Sequence, residues 1–289
     1  MKVRIVLRLN ALFVVLLLAT SGVGAQAASE ESELPSLEEI DRQLNNPLSK
    51  TWALTLQDNI GIQEGELVDG STWSNLLFFQ PLLPVPVGKS LMFSGRPVFP
   101  LVTSPNVDFS SGESDGHTTG LGDIQLMTLI GPDKANGWVW GVGATFKFPT
   151  ASDPVLGQGK YQAGPAAMLI NMGRPWVYGF LAQHWSSFAG DDERPETSYT
   201  DFQYIVRYLL PKAWSIGAGP SISYNHEAES GDRWTVPIGL GVTKTVRVGK
   251  LPMKLRAEVH YSVVRPDSYG DAWNFRLQVT PVIKSPFIK

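Results

Sequence analysis

Residues 199–209, with the sequence YTDFQYIVRYL, decide the fold. Polar and apolar side chains alternate along this stretch, with Asp201, Gln203 and Arg207 in one set of positions and Phe202, Tyr204, Val206 and Tyr208 in the other. Successive side chains of a β-strand point to opposite faces. The stretch therefore predicts a strand with one polar and one apolar face.

The same alternation recurs toward the C-terminus. In residues 253–263 and 272–282 the polar positions again alternate with apolar ones, and these are Lys254, Arg256, Glu258, His260, Asn274, Arg276 and Gln278. In residues 138–148 and 214–222 small residues take most of the polar positions, as Gly141 and Gly143 show. An apolar outer face with a polar or small inner face is typical of outer-membrane barrels.

Turn-forming residues divide the chain from Thr51 onward into about twelve such segments. The predicted strands are Thr51–Ile60, Ser71–Leu82, Ser90–Leu101, Gly120–Ile130, Trp138–Pro149, Gln162–Met172, Trp176–Phe188, Tyr199–Leu210, Trp214–Asn225, Arg233–Val246, Met253–Val264 and Ala272–Ile283. Bacterial single-chain barrels have an even number of strands. The sequence thus predicts an all-β fold, a transmembrane antiparallel up-and-down β-barrel of about twelve strands over residues 51–289.

Composition excludes several other classes of protein. The 289 residues carry a net charge of -3 and include no Cys, so the sequence has neither the basic character of a nucleic-acid-binding protein nor a disulfide framework. The mean hydropathy of -0.04 is too low for a bundle of membrane-spanning helices.

The N-terminus predicts export. Lys2, Arg4 and Arg8 precede an apolar run at residues 12–19, and Ala25–Gln26–Ala27 offers a cleavage site. We therefore expect a signal peptide over residues 1–27, cleaved near Ala27, and localisation in the outer membrane of a Gram-negative bacterium. Its expected partners are the barrel-assembly machinery, outer-membrane lipid and lipopolysaccharide.

Residues 28–50 are predicted to form a periplasmic N-terminal segment with one short helix. Leu37, Ile40 and Leu44 follow helical spacing, and Ser36 with Glu39 has the pattern of a capping box. The predicted helix covers residues 36–48. We expect it to dock at the periplasmic mouth of the barrel or to enter the lumen as a plug.

The predicted connections alternate between short and long, as periplasmic turns and extracellular loops do. The short turns are mostly basic, whereas the longer loops, which include residues 102–119, hold most of the acidic residues. Either the acidic loops bind divalent cations near lipopolysaccharide, or they are ordinary solvated loops. A structural or adhesive barrel that acts through these loops is one alternative function.

Short motifs in a consistent order resemble one family, the outer-membrane proteins named for the MetA pathway of phenol degradation. They include Asn46–Pro47–Leu48, Leu56–Gln57–Asp58–Asn59, Gly120–Leu121–Gly122–Asp123, Phe148–Pro149–Thr150, Trp234–Thr235–Val236–Pro237 and Gly241–Val242–Thr243–Lys244. The resemblance covers nearly the whole mature chain. It implies a transporter-like barrel for small hydrophobic or aromatic compounds, without a specific solute and without catalytic residues.

Thirteen polar residues are predicted to line the lumen. They are Arg96, Asp123, Gln125, Lys147, Asp201, Gln203, Arg207, Arg256, Glu258, His260, Asn274, Arg276 and Gln278. Eight strands enclose a filled interior and sixteen or more an aqueous channel. A count near twelve leaves two possibilities, a network that lines a narrow pore or one that blocks it.

Prolines within predicted strands include Pro97, Pro165, Pro220 and Pro237. Proline has no N–H to donate to a neighbouring strand and is normally confined to edges or bulges. These positions predict either a gap in the wall through which an apolar solute leaves sideways, or bulges that only bend the wall.

His184 and Ser186 form the main enzymatic alternative. Two residues apart on one strand, they share a face, and a His can accept the proton of a neighbouring Ser, as in outer-membrane phospholipases. The sequence shows no third group to orient His184. We therefore predict a protein that is not an enzyme, with no catalytic residues, no cofactor and no metal site.

Overall fold

The computed structural model describes residues 36–287, so the predicted signal peptide lies outside the described residues. The elements are helix α1 (Leu37–Gln43) and strands β1 (Thr51–Glu64), β2 (Thr72–Val87), β3 (Leu91–Val107), β4 (Ser114–Leu121), β5 (Ile124–Pro132), β6 (Gly137–Phe148), β7 (Lys160–Met172), β8 (Trp176–Gly190), β9 (Ser198–Leu210), β10 (Trp214–Ala218), β11 (Ser221–Asn225), β12 (Trp234–Val248), β13 (Leu251–Val264) and β14 (Gly270–Lys284). Two single-turn 3-10 helices, Pro154–Leu156 and Ser230–Asp232, lie in loops.

The strands close into an antiparallel barrel because β1 pairs with both β2 and β14. β4 and β5 both pair with β3, and β10 and β11 both pair with β9 and β12. Each of these couples is one wall strand with a break, at Gly122–Asp123 and at Gly219–Pro220. The predicted twelve-stranded barrel with a short N-terminal helix is confirmed.

One predicted loop, residues 102–119, is wrong. β3 continues to Val107 and pairs with β4 from Ser114, which leaves residues 108–113 as the loop. A pair of threonines stabilises the extended strands, because the hydroxyls of Thr103 and Thr119 lie within hydrogen-bond distance, 3.0 Å apart across the two strands. The alternating pattern failed here because neither face of this ribbon is apolar, while β-branched residues still favour an extended backbone.

The barrel has two different ends. At the turn end, short turns join the strands, and the start of β1 pairs with the end of β14. At the loop end, the longer connections join the remaining strands. The outward faces are apolar between the two ends, and exposed aromatic residues mark both levels, with Trp138 and Trp176 at the turn end and Trp234 and Trp273 at the loop end. This is the surface that lipid requires.

Helix α1 begins as predicted but ends earlier. The Ser36 hydroxyl accepts a hydrogen bond from the Glu39 N–H at 3.2 Å, whereas the helix stops at Gln43 rather than at Leu48. The Asn45 side chain donates to the Asp41 carbonyl at 2.9 Å. Since Pro47 has no N–H and an Asn side chain competes for backbone partners, the chain turns instead of continuing the helix. Within residues 36–287, no helix is both long and apolar enough to cross a membrane.

Candidate functional site

Helix α1 lies across the lumen at the turn end and is held from two sides. On one side Arg42 donates to the carbonyls of Ala135 and Met172, at 2.5 and 3.2 Å. On the other side the Asp41 carboxylate lies 3.2 Å from the Lys254 ammonium, and both side chains are buried. The helix therefore narrows the barrel at this end.

Glu39 connects α1 to the turn end. Burial opposes its ionisation, but hydrogen bonds from Arg42 and Gln43, together with the charges of Arg42 and Arg174, hold its pKa below the usual value. The carboxylate accepts from Arg42 at 2.9 Å and from Gln43 at 2.7 Å, both in α1, and lies 3.7 Å from Arg174 in the turn between β7 and β8. The docked helix thus favours the ionised form of Glu39.

One buried carboxylate organises a group of inward-facing charges. Glu258 forms an ion pair with Arg207, lies 3.4 Å from Arg276 and 3.7 Å from Arg256, and is 2.9 Å from the His260 ring. These five residues, on β9, β13 and β14, are named the charged side of the lumen. Three arginines share one carboxylate, so positive charge exceeds negative charge in this cluster.

Glycines make room for the charged side. Gly239 and Gly241 lie opposite His260 and Glu258 in the register of β12 and β13. A Cβ atom at Gly241 would meet the Glu258 Cγ at 2.5 Å, and one at Gly239 would meet the His260 ring at 2.3 Å. The Gly-x-Gly spacing in β12 is therefore a packing requirement.

The facing wall is apolar. Inward side chains of β3 and β5 to β8 form one buried cluster with Leu48, and its larger members are Met92, Met127, Leu129, Val139, Met168, Ile170, Met172, Val177 and Leu181. This cluster is named the apolar side. The sequence pattern, which anticipated polar or small residues on inward faces, was wrong here. Leu48 packs among these side chains and shields them from water. This burial of apolar surface stabilises a wall that has no polar lining.

A cavity of about 140 Å³ separates the two sides above α1. Its basic lining consists of Arg96, Arg207, Lys254 and Arg256, and its apolar lining includes Leu82, Ile170, Leu181 and Ile205. Gln57, Gln80, Gln203 and Gln278 complete the polar part. Gln57 and Gln80 are not among the residues predicted to line the lumen, although the alternation of side chains in β1 and the inward position of Gln80 on the neighbouring strand are signals that could have indicated them.

The other residues predicted to line the lumen take different positions. Asp123 lies at the break between β4 and β5, and it holds the loop after β6 by accepting from the N–H groups of Ala151 and Gln158, at 3.2 and 2.7 Å. Lys147 faces Trp185, with its ammonium 5.1 Å from the ring centroid. Asp201, Gln125 and Asn274 share the inward faces of β9, β5 and β14, toward the loop end from the cavity.

The four prolines coincide with interruptions in strand pairing. Pairing of β2 with β3 stops at Phe99 and resumes at Gly95, and Pro97 lies between them. Pairing of β7 with β8 is interrupted at Pro165 in the same way. The proline N atom cannot donate, which accounts for each break.

The longest interruption lies between β10–β11 and β12. Paired residues end at Gly217 with Gly241 and resume at Ser223 with Thr235, so Pro220 and Pro237 both fall in the unpaired stretch. The Tyr204 hydroxyl donates across it to the Pro237 carbonyl at 3.1 Å. From inside, Gln203 and Arg276 donate to the Gly219 carbonyl, at 2.8 and 3.0 Å. Side chains thus replace backbone hydrogen bonds at this point.

His184 and Ser186 lie on the outward face of β8, near the loop end. The His184 Nε2 is 3.0 Å from the Ser186 hydroxyl, and its Nδ1 is 2.9 Å from the hydroxyl of Thr200 on β9. Thr200 is the third group that sequence reasoning missed, because the register of β8 with β9 decides which residue faces His184. Hydrogen bonds thus connect Ser186, His184 and Thr200 in series.

The fold is similar to that of a solved outer-membrane channel from Pseudomonas putida F1. The TM-score is 0.62 and the identity 14%, over 90% of this chain and 100% of that chain. The likeness shows the fold. Two further barrels match more loosely: the β domain of the Bordetella autotransporter BrkA, with a TM-score of 0.41 and 10% identity over 80% of this chain and 98% of that one, and a Pseudomonas aeruginosa FadL homologue, with a TM-score of 0.40 and 8% identity over 85% and 94%.

No protein-family model and no curated protein matches the sequence. The resemblance to the family named for the MetA pathway of phenol degradation therefore stays a prediction.

Proposed function

We propose that this protein is an outer-membrane channel for the passive passage of small hydrophobic or aromatic compounds, without catalysis. One observation carries the proposal. A closed barrel with an apolar outer surface holds, inside it, a cavity with one apolar and one polar wall. A barrel that served only as an anchor needs no such cavity.

The proposal includes an orientation. The turn end with α1 faces the periplasm, after cleavage of the signal peptide near Ala27, and the acidic loops face outward beside lipopolysaccharide. Short turns on one side and longer loops on the other support this orientation, as does α1, which precedes β1 at the turn end. The barrel-assembly machinery is the expected partner in biogenesis.

The path of the solute has two candidate exits. One passes α1 at the turn end, where the ion pair between Asp41 and Lys254 narrows the lumen. The other is the unpaired stretch at Pro220 and Pro237, which Tyr204 bridges from the outside. An apolar solute leaving there enters lipid directly.

Current across a planar bilayer tests the proposal. Purified, heat-modifiable protein is compared with Arg256→Ala, which removes a charge from the cavity wall. Discrete ohmic steps that change in the variant support a pore through this cavity. Folded, inserted protein that passes no current and also gives no uptake of apolar solutes into vesicles would contradict the channel.

A second candidate function is hydrolysis of lipid esters, and the line from Ser186 through His184 to Thr200 favours it. In such a reaction the imidazole takes the Ser186 proton as the oxygen attacks the ester carbonyl, and then passes this proton to the leaving alcohol. Water then attacks the acylated serine, which releases the fatty acid and restores the Ser186 hydroxyl. Thr200 orients the ring but, unlike a carboxylate, adds no charge to stabilise an imidazolium.

Release of fatty acid from phospholipid vesicles decides this alternative. Ser186→Ala removes the nucleophile, whereas Ser198→Ala removes a neighbouring hydroxyl, 3.4 Å from that of Ser186, and leaves the contact between Ser186 and His184 in place. Activity lost in the first variant and kept in the second would establish hydrolysis. Equal rates in wild-type protein and Ser186→Ala would exclude it.

A further inference from the structure

The cavity above α1 carries more basic groups than its structural contacts use. Four basic side chains line the cavity, and none of the lining residues in the part of the chain that the structure describes is acidic. The nearest carboxylates already form ion pairs, because Glu258 contacts three arginines and Asp41 contacts Lys254. The electrostatic potential inside the cavity is therefore positive.

Arg96 is the clearest case. Among residues 36–287 it has no ion-pair partner, its Nε is a buried donor without an acceptor, and its one side-chain hydrogen bond is a long one, 3.8 Å, to the Met127 sulfur. A buried donor left unpaired costs about 1–3 kcal/mol, and more when it is charged. An acceptor on a bound ligand would satisfy this donor.

Arg256, on β13, has the same feature as Arg96. Its Nε also makes no hydrogen bond, although it lies 3.7 Å from the Glu258 carboxylate, and among residues 36–287 its one side-chain hydrogen bond runs to Gln278 at 3.4 Å. Two guanidinium groups with free donors thus line one small cavity. Planar guanidinium groups match carboxylates, which accept two parallel hydrogen bonds.

The remaining wall restricts what the anion carries. Leu82, Ile170, Leu181 and Ile205 face the same space, so the rest of the ligand is apolar. The cavity of about 140 Å³ is close to the roughly 150 Å³ that admits a benzene molecule in an engineered apolar cavity. The volume therefore suits one ring.

We propose that this cavity binds a small organic monoanion with an apolar body, an aromatic carboxylate of about the size of benzoate, between Arg96 and Arg256 and the apolar side. This inference rests on the proposed function, because the anion is the class of solute that the proposed channel would select. The carboxylate takes the free guanidinium donors, and the ring lies against Ile170 and Leu181.

Binding is measured by calorimetry on the purified, heat-modifiable barrel in detergent, with benzoate as the probe. Benzyl alcohol has the same ring without the charge, and formate has the charge without the ring. We expect benzoate to bind more tightly than either. Arg96→Gln is expected to weaken benzoate binding by about tenfold or more, as loss of a charged hydrogen bond does.

Lys147→Gln is the matched control, since it removes an inward-facing cation that is not part of the cavity lining. It should leave benzoate affinity unchanged. If Arg96→Gln does not fold, Gln80→Glu keeps the arginine and adds a carboxylate to the cavity wall, and it should weaken binding by a similar factor.

Equal affinity for benzoate and benzyl alcohol, or unchanged affinity in Arg96→Gln, would overturn the anion site. Current in a bilayer separates this result from the channel itself. Benzoate binding without conductance and without uptake of apolar solutes would contradict the channel and support the site, whereas conductance without benzoate binding would support the channel and overturn the site.

Discussion

The charged side and the apolar side of the lumen fill the same barrel in different ways. On the apolar side, Met127, Leu129 and Ile170 are packed like the core of a soluble protein. On the charged side, Arg207, Arg256 and Arg276 converge on Glu258, which is the only carboxylate in that cluster. One side is stabilised by shielding from water, and the other depends on a single counter-charge. This barrel therefore encloses an asymmetric space instead of a uniform pore.

Glu258→Gln tests the charged side and has the largest expected effect. The variant leaves three arginines without their carboxylate, and removal of one partner from a buried ion pair costs about 3–5 kcal/mol in free energy of unfolding. Urea-induced unfolding in lipid vesicles measures this loss. Glu229→Gln, in an exposed loop, should stay within about 0.5 kcal/mol of wild type, and equal stability of both variants would contradict the assigned role of Glu258.

Ile170→Ala tests the apolar side. The side chain has 0% exposure, so its truncation leaves a cavity and costs about 2–5 kcal/mol. Ion selectivity in a bilayer should not change, because no charge is removed. Leu169→Ala alters the outward face of the same strand and should cost less. A change in selectivity upon Ile170→Ala would show that the two sides are not separate.

Asp41→Asn tests the helix that lies between the two sides. Loss of the ion pair with Lys254 should weaken docking of α1 by about 1.5–3 kcal/mol, the range for hydrogen bonds to charged groups. Conductance is therefore expected to rise, while the barrel itself stays folded. Glu38→Gln, on the same helix but without an ion pair in the described part of the chain, should conduct like wild type.

The smallest expected effect is a dependence of conductance on pH through Glu39. Burial opposes ionisation of this carboxyl, yet its pKa lies below the usual 4.5, and Arg174, 3.7 Å away in the turn after β7, contributes to this, so docking beside Arg174 is favoured when Glu39 is ionised. This contribution is complete above pH 4.5 and is lost as the pH falls through the lower pKa of the docked state. Conductance should rise on acidification in that range, and Glu39→Gln should reduce the change. An identical pH profile of conductance in wild-type protein and in Glu39→Gln would show that Glu39 does not cause the pH dependence.

Most of the barrel could be predicted from the sequence. The alternation in residues 199–209 depends only on the backbone period of a strand, and the turn residues separate the twelve strands. The ribbon at residues 102–119 and the C-terminal part of the helix at residues 36–48 could not be predicted in this way. In the first, both faces are polar, and in the second, the side chain of Asn45 competes with the helix.

The site was only partly predictable. Inward positions of Arg207, Arg256, Glu258 and Arg276 follow from alternation, but their convergence on one carboxylate depends on how strands distant in sequence meet across the lumen. The partnership of His184 with Thr200 depends likewise on the register of two strands. Alternation assigns a residue to a face, and it does not name the neighbour on that face.

A β-barrel with an apolar exterior can be predicted from the sequence alone, because strand period and turn chemistry are local properties. Three features follow only from the tertiary structure: which inward residues meet, the apolar wall of the lumen, and the position of α1 inside the turn end. These features depend on ring closure, which places β9 near β13 and β14 and brings Asp41 to Lys254. Such contacts between distant residues arise only when every strand has its partner.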